Sequence, residues 1–522
     1  MDSVQKLDRA IPECLILALI ALLWGTICFY VPLQMEDWNF NVTYLRFNGG
    51  QDDFSLQAFV DLWMNNRGVD NSRLANVLSP LATTIPPFTA IYPWLSGAVL
   101  AGLIFMVGKL GLGRKLNWQS LALVWLSVVL FLPWRSSMFI KTHQLGYAYT
   151  AFFNLVFIYL MLRQEKQGWK WPATICTGLV AAVAANMHEG FSVPILCGLG
   201  AWAISRKLKM SWQFYAVGAV YLIFTVWILT SEGVWSRFFR ESQTHSLQQP
   251  LPIIIFDSSM MIALVFGLSC GILFRKTREI IFSTVKKPAF ILLTVAAVAA
   301  WAIGIIVSFT SRTAFLPQCF CLCAIWMLLR DLMPGHWNKR ASVCAILALT
   351  LCSAHACTAI IWQKKIWDES EDIFARIFED HATNIYYDIV MPETVPAYTL
   401  QFPTKLLWHT GFSLAAIRNK SKNYELAIVP TALRDANPEN SSAIEGNARA
   451  FIKDGAMFRR LKSEEIEGGV NGDCSYSATL SDGSVLNSFP AFQVEYANEA
   501  GEKFVYIRLN KIDSRRIIRL DY

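Results

Sequence analysis

Long apolar runs separated by short polar loops fill the first two thirds of the chain. An α-helix needs about 20 predominantly apolar residues to cross the roughly 30 Å hydrocarbon core of a bilayer. Eleven runs come close to that length, near 13–33, 87–108, 118–134, 146–162, 172–187, 190–205, 212–230, 252–274, 288–309, 313–330 and 341–363. The pattern predicts a polytopic α-helical membrane domain over residues 1–363, with about eleven transmembrane helices.

Two of these runs meet at a short polar segment, Asn186-Met187-His188-Glu189-Gly190. One interpretation is a tight turn between two short membrane crossings. The other is a polar break inside a re-entrant hairpin. The sequence leaves both open.

Positively charged residues gather in every second loop, as the cytoplasmic loops of membrane proteins do. They are Lys109, Arg114, Lys115, Lys166, Lys170, Arg206, Lys207, Lys209, Arg275, Lys276, Arg278, Lys286, Lys287, Lys339 and Arg340. These loops lie on the same side as the N-terminus. The pattern therefore predicts a cytoplasmic N-terminus and an extracytoplasmic tail, which requires an odd number of crossings.

The first outer loop, residues 34–86, is long and contains two apolar stripes at helical spacing. The first stripe is formed by Leu56, Phe59, Val60, Trp63 and Met64, with Ser55 as a candidate N-cap. The second is formed by Leu74, Val77, Leu78 and Leu81. We expect two amphipathic helices at the membrane surface that shape a cavity between the first two spans.

The tail, residues 364–522, differs in character from the rest of the chain. It opens with an acidic helical stretch and ends in alternating apolar and polar runs around turns at 481–484 and 498–501. This pattern predicts a small extracytoplasmic α+β domain. Eleven of the twelve cysteines precede residue 358, so the tail has no disulfide framework of its own.

Composition supports this division and excludes several classes of protein. The chain is 54% hydrophobic and 16% charged, with a mean hydropathy of +0.36. Residues 1–363 carry a net charge of +11, and residues 364–522 carry −4. Because the positive charge lies beside apolar runs and not in one patch, we expect membrane lipids and no nucleic acid as partners.

Ionisable residues at helix ends are the candidates for chemistry, because charge near a bilayer is costly. On the outer side these are Glu36, Asp37, Arg73, Arg135, Lys141, His143, His188, Glu189 and Arg312. The acidic pair Glu36 and Asp37 is either solvated or provides a general base. The cations either extend to lipid headgroups or bind a lipid-linked phosphate.

Three short motifs carry a resemblance to a known group of enzymes. Glu36-Asp37-Trp38, Asn71-Ser72-Arg73 and Asn186-Met187-His188-Glu189 resemble segments of an uncharacterised bacterial family of multi-pass proteins. That family is related to the C-type membrane glycosyltransferase superfamily, which this chain resembles over roughly residues 10–330 in its long first outer loop and many spans. The resemblance implies a polyprenyl-phosphate-linked sugar donor and an active site on the outer face of a bacterial plasma membrane.

The resemblance also implies roles for individual residues. Asp37 is the first candidate for the base of an inverting transfer to a glycan or lipid acceptor, with Glu36 as its neighbour or replacement. The placement of charges suggests the remaining roles. We expect His188 and Glu189 to hold sugar hydroxyls or to act as a second acid–base pair, and Arg73, Arg135, Lys141, His143 and Arg312 to bind substrate, with the cations neutralising its phosphate. Relatives that use a divalent metal bind it through acidic residues, but no ligand set is evident here and the cofactor stays unknown.

Two other classes of protein stay open. A lipid or glycan transporter also needs many spans, but it normally places ionisable groups near the bilayer midplane and shows repeated halves. Neither feature is evident in this sequence. A polysaccharide polymerase or ligase also acts on polyprenyl-linked substrates, but its long outer loop usually comes late in the chain.

Overall fold

A computed structural model describes most of the chain. The described residues are 2–33, 36–69, 71–113, 116–244, 251–307, 312–333, 339–377, 384–386, 427–429, 442–453, 456–461, 472–497, 503–509 and 516–522. The chain forms two compact units that divide between Trp367 and Asp368. The first unit is helical, and the second contains the described strands.

The helices of the described residues are, in chain order, α1 (Asp2–Phe29), α2 (Glu36–Phe47), α3 (Leu56–Val69), α4 (Leu74–Val77), α5 (Ser79–Thr83), α6 (Pro86–Leu112), α7 (Trp118–Phe131), α8 (Trp134–Ser137), α9 (Lys141–His143), α10 (Thr150–Gln167), α11 (Trp171–Met187), α12 (Glu189–Ser205), α13 (Trp212–Leu229), α14 (Glu232–Thr244), α15 (Leu251–Asp257), α16 (Ser259–Leu273), α17 (Arg275–Val285), α18 (Pro288–Val307), α19 (Phe315–Leu332) and α20 (Lys339–Ile377). A π-helical segment, Gln144–Tyr149, joins α9 to α10.

Within the described part of the chain, seven helical segments are long and apolar enough to cross a membrane, which indicates a membrane-embedded protein. They are Ile11–Phe29, Pro86–Leu112, Lys141–Gln167, Trp212–Leu229, Pro288–Ile306, Phe315–Leu332 and Ala341–Asp368. Four shorter apolar helices are Trp118–Phe131, Trp171–Met187, Glu189–Ser205 and Ser259–Leu273. Together these segments coincide with the eleven apolar runs, and the number that cross the membrane stays a prediction.

The first loop contains more helix than the sequence pattern predicts. Helix α2 starts at Glu36, where only a loop was expected, and α3 starts at Leu56. Ser55 Oγ accepts a hydrogen bond from the backbone N–H of Ala58 at 3.2 Å, so Ser55 caps α3 as expected. Of the first stripe, Phe59 is buried against Tyr44, whereas Leu56, Val60 and Met64 are exposed.

The second apolar stripe of this loop does not form a surface helix. It is divided between α4 and α5, and Val77 is buried. Leu74 and Leu78 pack against a buried cluster that includes Tyr92 and Met187. The expectation of a second amphipathic helix at the membrane surface was wrong, because the spacing of apolar residues does not distinguish a partner in lipid from one in protein.

The eighth apolar run is broken into two helices at Ser258. Gln318 of α19 bridges this break: its Nε2 donates to the carbonyl oxygen of Phe256 at 3.0 Å, and its Oε1 accepts from the N–H of Met260 at 2.9 Å. Backbone groups freed by a helix break need such partners in an apolar environment. The amide side chain of Gln318 supplies one donor and one acceptor to meet that need.

The second unit contains two sheets within its described residues. The strands are β1 (Asn384–Tyr386), β2 (Ala427–Val429), β3 (Ser442–Ala443), β4 (Ala450–Lys453), β5 (Ala456–Arg460), β6 (Gly472–Leu480), β7 (Val485–Ala497), β8 (Lys503–Leu509) and β9 (Ile517–Asp521). Strands β1 and β2 pair in parallel, and the other seven form an antiparallel sheet in the order β3-β4-β5-β8-β7-β6-β9.

Two features of the tail bear on its sequence interpretation. The turn at Ser481–Ser484 joins β6 to β7, and Gly483 there has the positive φ of +81° that glycine adopts without strain. Residues 498–501, the second expected turn, lie outside the described part, although β7 and β8 on either side pair antiparallel. The acidic stretch at 368–372 is helical, as expected, and belongs to helix α20, which continues to Ile377.

Candidate active site

Glu36 and Asp37 occupy the first turn of α2, but their carboxylates meet different partners. Asp37 is fully buried. Its Oδ1 accepts from the backbone N–H of Thr142 at 2.7 Å, and its Oδ2 accepts from that of Lys141 at 3.1 Å. These are the first amides of the helical segment 141–167, which need an acceptor. Asp37 therefore caps this segment and stabilises its positive end.

Glu36 belongs to a cluster with His143 and Arg312. One carboxylate oxygen, Oε2, contacts His143 Nε2, and the other, Oε1, accepts from Arg312 Nη1 at 3.3 Å. Arg312 Nη1 also lies 3.0 Å from His143 Nε2. His143 is placed by the start of the segment that Asp37 caps, and Arg312 stands three residues before α19. Three distant parts of the chain thus meet at one carboxylate.

The contacts within this cluster compete for one ring nitrogen. A histidine nitrogen donates when it carries a proton and accepts when it does not. His143 Nε2 can therefore donate to Glu36 or accept from Arg312, but not both at once. The cluster has two proton arrangements, and displacement of Arg312 would favour the one in which His143 donates to Glu36.

The contacts with His143 and Arg312 set the protonation state of Glu36. Partial burial by itself raises the pKa of this carboxyl group, and its side chain keeps 39% of its accessible surface. His143 and Arg312 act in the opposite direction and prevail, so the pKa of Glu36 lies well below its usual range. Glu36 is ionised in this arrangement. A carboxylate held in this way accepts a proton poorly until a partner is withdrawn.

Arg73 and Glu189 form a second charged cluster on the neighbouring elements. Arg73, directly before α4, donates from Nε to Glu189 Oε2 at 2.7 Å and from Nη2 to Glu189 Oε1. The two side chains therefore form a bidentate ion pair, and both are mostly buried. Glu189 lies in the first turn of α12, where the helix dipole favours a carboxylate.

His188 links this pair to a group of aromatic rings. Its backbone is extended between α11 and α12, and its Nδ1 accepts from the N–H of Gly190 at 3.1 Å, so it caps α12. The His188 ring stacks on Phe191 at 4.7 Å between ring centres and lies 5.4 Å from Tyr147. Tyr147 also lies edge-on to His143 at 5.9 Å, which connects the two charged clusters.

A cavity of about 340 Å³ opens beside both clusters. One end is polar, with Arg73, His188, Glu189 and Arg312. Tyr147, Gly190 and Thr313 also line the cavity. The rest of the wall is apolar and is formed by Phe191, Val193, Leu229, Val234, Trp235, Phe238, Ala300, Ile303 and Gly304. The volume is within the range of small-molecule sites, and the arrangement suits a molecule with an anionic head and an apolar tail.

The structure brings six of the nine candidate residues together around this cavity. Arg73, His188, Glu189 and Arg312 line it, and Glu36 and His143 contact Arg312. Asp37 and Lys141 are buried beside this group at the start of the segment 141–167, and neither is among the described residues that line the cavity. Arg135 lies in α8, but its side chain is outside the part of the chain that the structure describes.

The sequence pattern does not identify the aromatic residues of the site. Tyr147 lies in the π-helical segment, a wide turn that often occurs at functional sites, and no sequence signal marks it. Trp235 and Phe238 come from α14, which was not predicted. Residues Glu232–Thr244 follow the seventh apolar run. Charged and apolar residues recur there at helical spacing, so the sequence pattern could have predicted this amphipathic helix.

Metal-ligating residues do not gather at this site within the described residues. No group of three or more His, Cys, Asp or Glu side chains suited to one metal ion occurs in that part of the chain. Glu36, His143 and Arg312 instead form a site in which the positive charge comes from a guanidinium group.

Comparison of the sequence with models of known protein families and with curated proteins gives no match.

Proposed function

We propose that this protein is a membrane glycosyltransferase that moves a sugar from a polyprenyl-phosphate-linked donor to a hydroxyl group of a glycan or lipid acceptor. The cavity with apolar walls and two arginines at its polar end carries the proposal. Its polar end matches a phosphate, and its walls match the first isoprene units of a lipid tail. The protein acts at the extracytoplasmic face of a bacterial plasma membrane.

The proposed reaction is a single displacement at the anomeric carbon. The bond between that carbon and the phosphate oxygen breaks, and a bond to the acceptor oxygen forms. The acceptor proton goes to a carboxylate, and the lipid phosphate leaves as an anion that Arg73 and Arg312 stabilise. His188 and Glu189, at the same end of the cavity, hold the sugar hydroxyls.

Glu36 is a better candidate for the base than Asp37. The Asp37 carboxylate is fully buried and is engaged by two backbone amides of the segment 141–167. Glu36 is partly exposed and contacts Arg312, which lines the cavity. A base needs access to the acceptor hydroxyl, which favours Glu36.

The test is the profile of lipid-linked and surface glycans, measured by mass spectrometry in cells of the source organism. We compare a deletion strain with strains that express the wild type, Glu36→Gln or Arg312→Gln at equal protein levels. Asp52→Asn, an exposed change in the same loop, is the matched control. Loss of one sugar mass in the deletion strain and both site variants, but not in the control, would support the proposal.

Two other results would contradict this function. An unchanged glycan profile in the deletion strain would exclude a sugar transfer to these glycans. A change in chain length alone, with every sugar still present, would indicate the polymerase or ligase.

A further inference from the structure

Arg312 contacts both the cavity and Glu36. It lines the cavity, and the same guanidinium group donates to Glu36 at 3.3 Å. Glu36 is not among the described residues that line the cavity. Arg312 is therefore in contact with both, and it carries the charge that a ligand anion would need.

We propose that an anionic head group in the cavity competes with Glu36 for Arg312, so that ligand binding releases the Glu36 carboxylate. This inference rests on the proposed function for the ligand's chemical class, a lipid phosphodiester. It adds a role for Arg312 as the group that couples occupation of the cavity to the availability of the base.

The charge balance of the site supports competition. Arg73 is already paired with Glu189 through two hydrogen bonds, and Arg312 is paired with Glu36. An incoming anion therefore meets arginines that already have carboxylate partners. The Arg73 pair is mostly buried, whereas Glu36 and Arg312 keep 39% and 27% of their side-chain surface. Glu36 is the carboxylate that water can solvate when it is displaced.

The surroundings of Glu36 allow its release. Helix α2 packs against α3, α5 and α9. The titratable or charged groups on these elements are Asp61 and Arg67 of α3, Lys141 and His143 of α9, and Asp37, Tyr44 and Arg46 on α2 itself. Of these, His143 contacts Glu36 directly. Once Arg312 is withdrawn, His143 Nε2 can donate to Glu36, and the carboxylate is free to accept a proton from an acceptor hydroxyl.

The test measures binding and does not depend on turnover. The probe is methyl geranyl phosphate, a soluble phosphodiester whose single charge does not change between pH 4.5 and 7. Its dissociation constant is measured by calorimetry on the full-length protein in detergent. At pH 7 we expect Glu36→Gln to bind the probe about fivefold more tightly than the wild type, because the competing carboxylate is gone. Arg312→Gln should abolish binding.

A second measurement keeps the inference testable even where a variant folds poorly. In the free protein Glu36 stays ionised over this pH range because its pKa lies well below its usual value. The carboxylate that the probe releases takes up a proton near the ordinary glutamate pKa of about 4.3, so wild-type binding strengthens as the pH falls below about 5. The ratio of the wild-type and Glu36→Gln dissociation constants should shrink. Asp52→Asn is the matched control and should bind the probe as the wild type does.

Three outcomes decide between the two proposals. Equal or weaker binding by Glu36→Gln, or unchanged binding by Arg312→Gln, would overturn the competition. Competition without any loss of sugar from the glycan profile would leave the anion site in place and overturn the transferase. A wild type that does not bind the probe at any pH would overturn both the competition and the proposed donor site.

Discussion

Glu36 and Asp37 show how adjacent residues take different roles on a helix. Successive side chains on an α-helix point about 100° apart. Asp37 therefore faces the amides of Lys141 and Thr142, while Glu36 faces His143 and Arg312. The rotation between two adjacent helix positions thus gives Asp37 a structural role and leaves Glu36 in contact with groups near the cavity.

Replacing Asp37 should act mainly on stability. Asp37→Ala removes the acceptor for two helix-terminal amides, and loss of such a cap costs about 1–2 kcal/mol. We expect a lower melting temperature in detergent and a smaller loss for Asp37→Asn, which keeps one acceptor oxygen. Asp52→Ala is the exposed control. A melting temperature unchanged in Asp37→Ala, together with loss of sugar transfer, would instead support Asp37 as the base.

The ion pairs of Glu36 predict a pH-dependent contribution to stability. Since the folded protein holds the pKa of Glu36 below its value in the unfolded chain, about 4.3, the stabilisation is fully present above that value. It is lost as the pH falls further. The difference in melting temperature between the wild type and Glu36→Gln should therefore be constant above about pH 5 and shrink below about pH 4. A difference that grows with acidification would contradict the ion pairs.

The residue types of the site could be predicted from the sequence, but their pairing could not. Ionisable residues at the ends of apolar runs identified Arg73, Glu189 and Arg312 as candidates. Arg73 and Glu189 are 116 positions apart, and Arg312 is 276 positions from Glu36. The loop sequences do not indicate which helix ends are neighbours in space. These contacts arise from the packing of the whole helical unit, so they could not be predicted from the sequence.

At the scale of elements, the helices of the long apolar runs and the amphipathic helix α3 were predicted, whereas other short helices with many polar residues were not. A run of about 20 apolar residues has few alternatives to a membrane helix, since every backbone group must be bonded in lipid. Helices α2, α14 and α17 carry many polar residues and lie in segments where the sequence pattern predicts loops. Their stability comes from packing on neighbouring helices, which sequence propensity alone does not reveal.

The break between α15 and α16 predicts a strong effect of Gln318 on stability. Gln318→Leu would leave the carbonyl of Phe256 and the N–H of Met260 without their partner in an apolar environment. Such groups cost about 1–3 kcal/mol each, so we expect a clear fall in melting temperature. Thr350→Val, a change on an exposed helix face, is the control for loss of a side-chain hydrogen bond. Equal melting temperatures for both variants would show that Gln318 does not hold the break.

At the scale of the whole molecule, the number of crossings decides which loops lie on the same side of the membrane as the candidate site. Seven helical segments satisfy both length and hydropathy, and four more are shorter. If all eleven cross, the α10–α11 connection is cytoplasmic and the α13–α14 connection is outside. If only the seven longer ones cross, these two connections exchange sides. With the predicted cytoplasmic N-terminus, the C-terminus is outside in both cases because both numbers are odd.

Reporter fusions at these two connections distinguish the arrangements. Alkaline phosphatase folds outside the cytoplasm of a bacterium, and green fluorescent protein fluoresces inside it. The positive charge of Lys166 and Lys170 favours eleven crossings. We therefore expect fluorescence from a fusion after Gly168 and phosphatase activity from a fusion after Glu232, with fusions after Gly113 and Tyr522 as the inside and outside controls. The reverse result at Gly168 and Glu232, with unchanged controls, would mean seven crossings and would place α14, and the cavity wall it forms, on the cytoplasmic side.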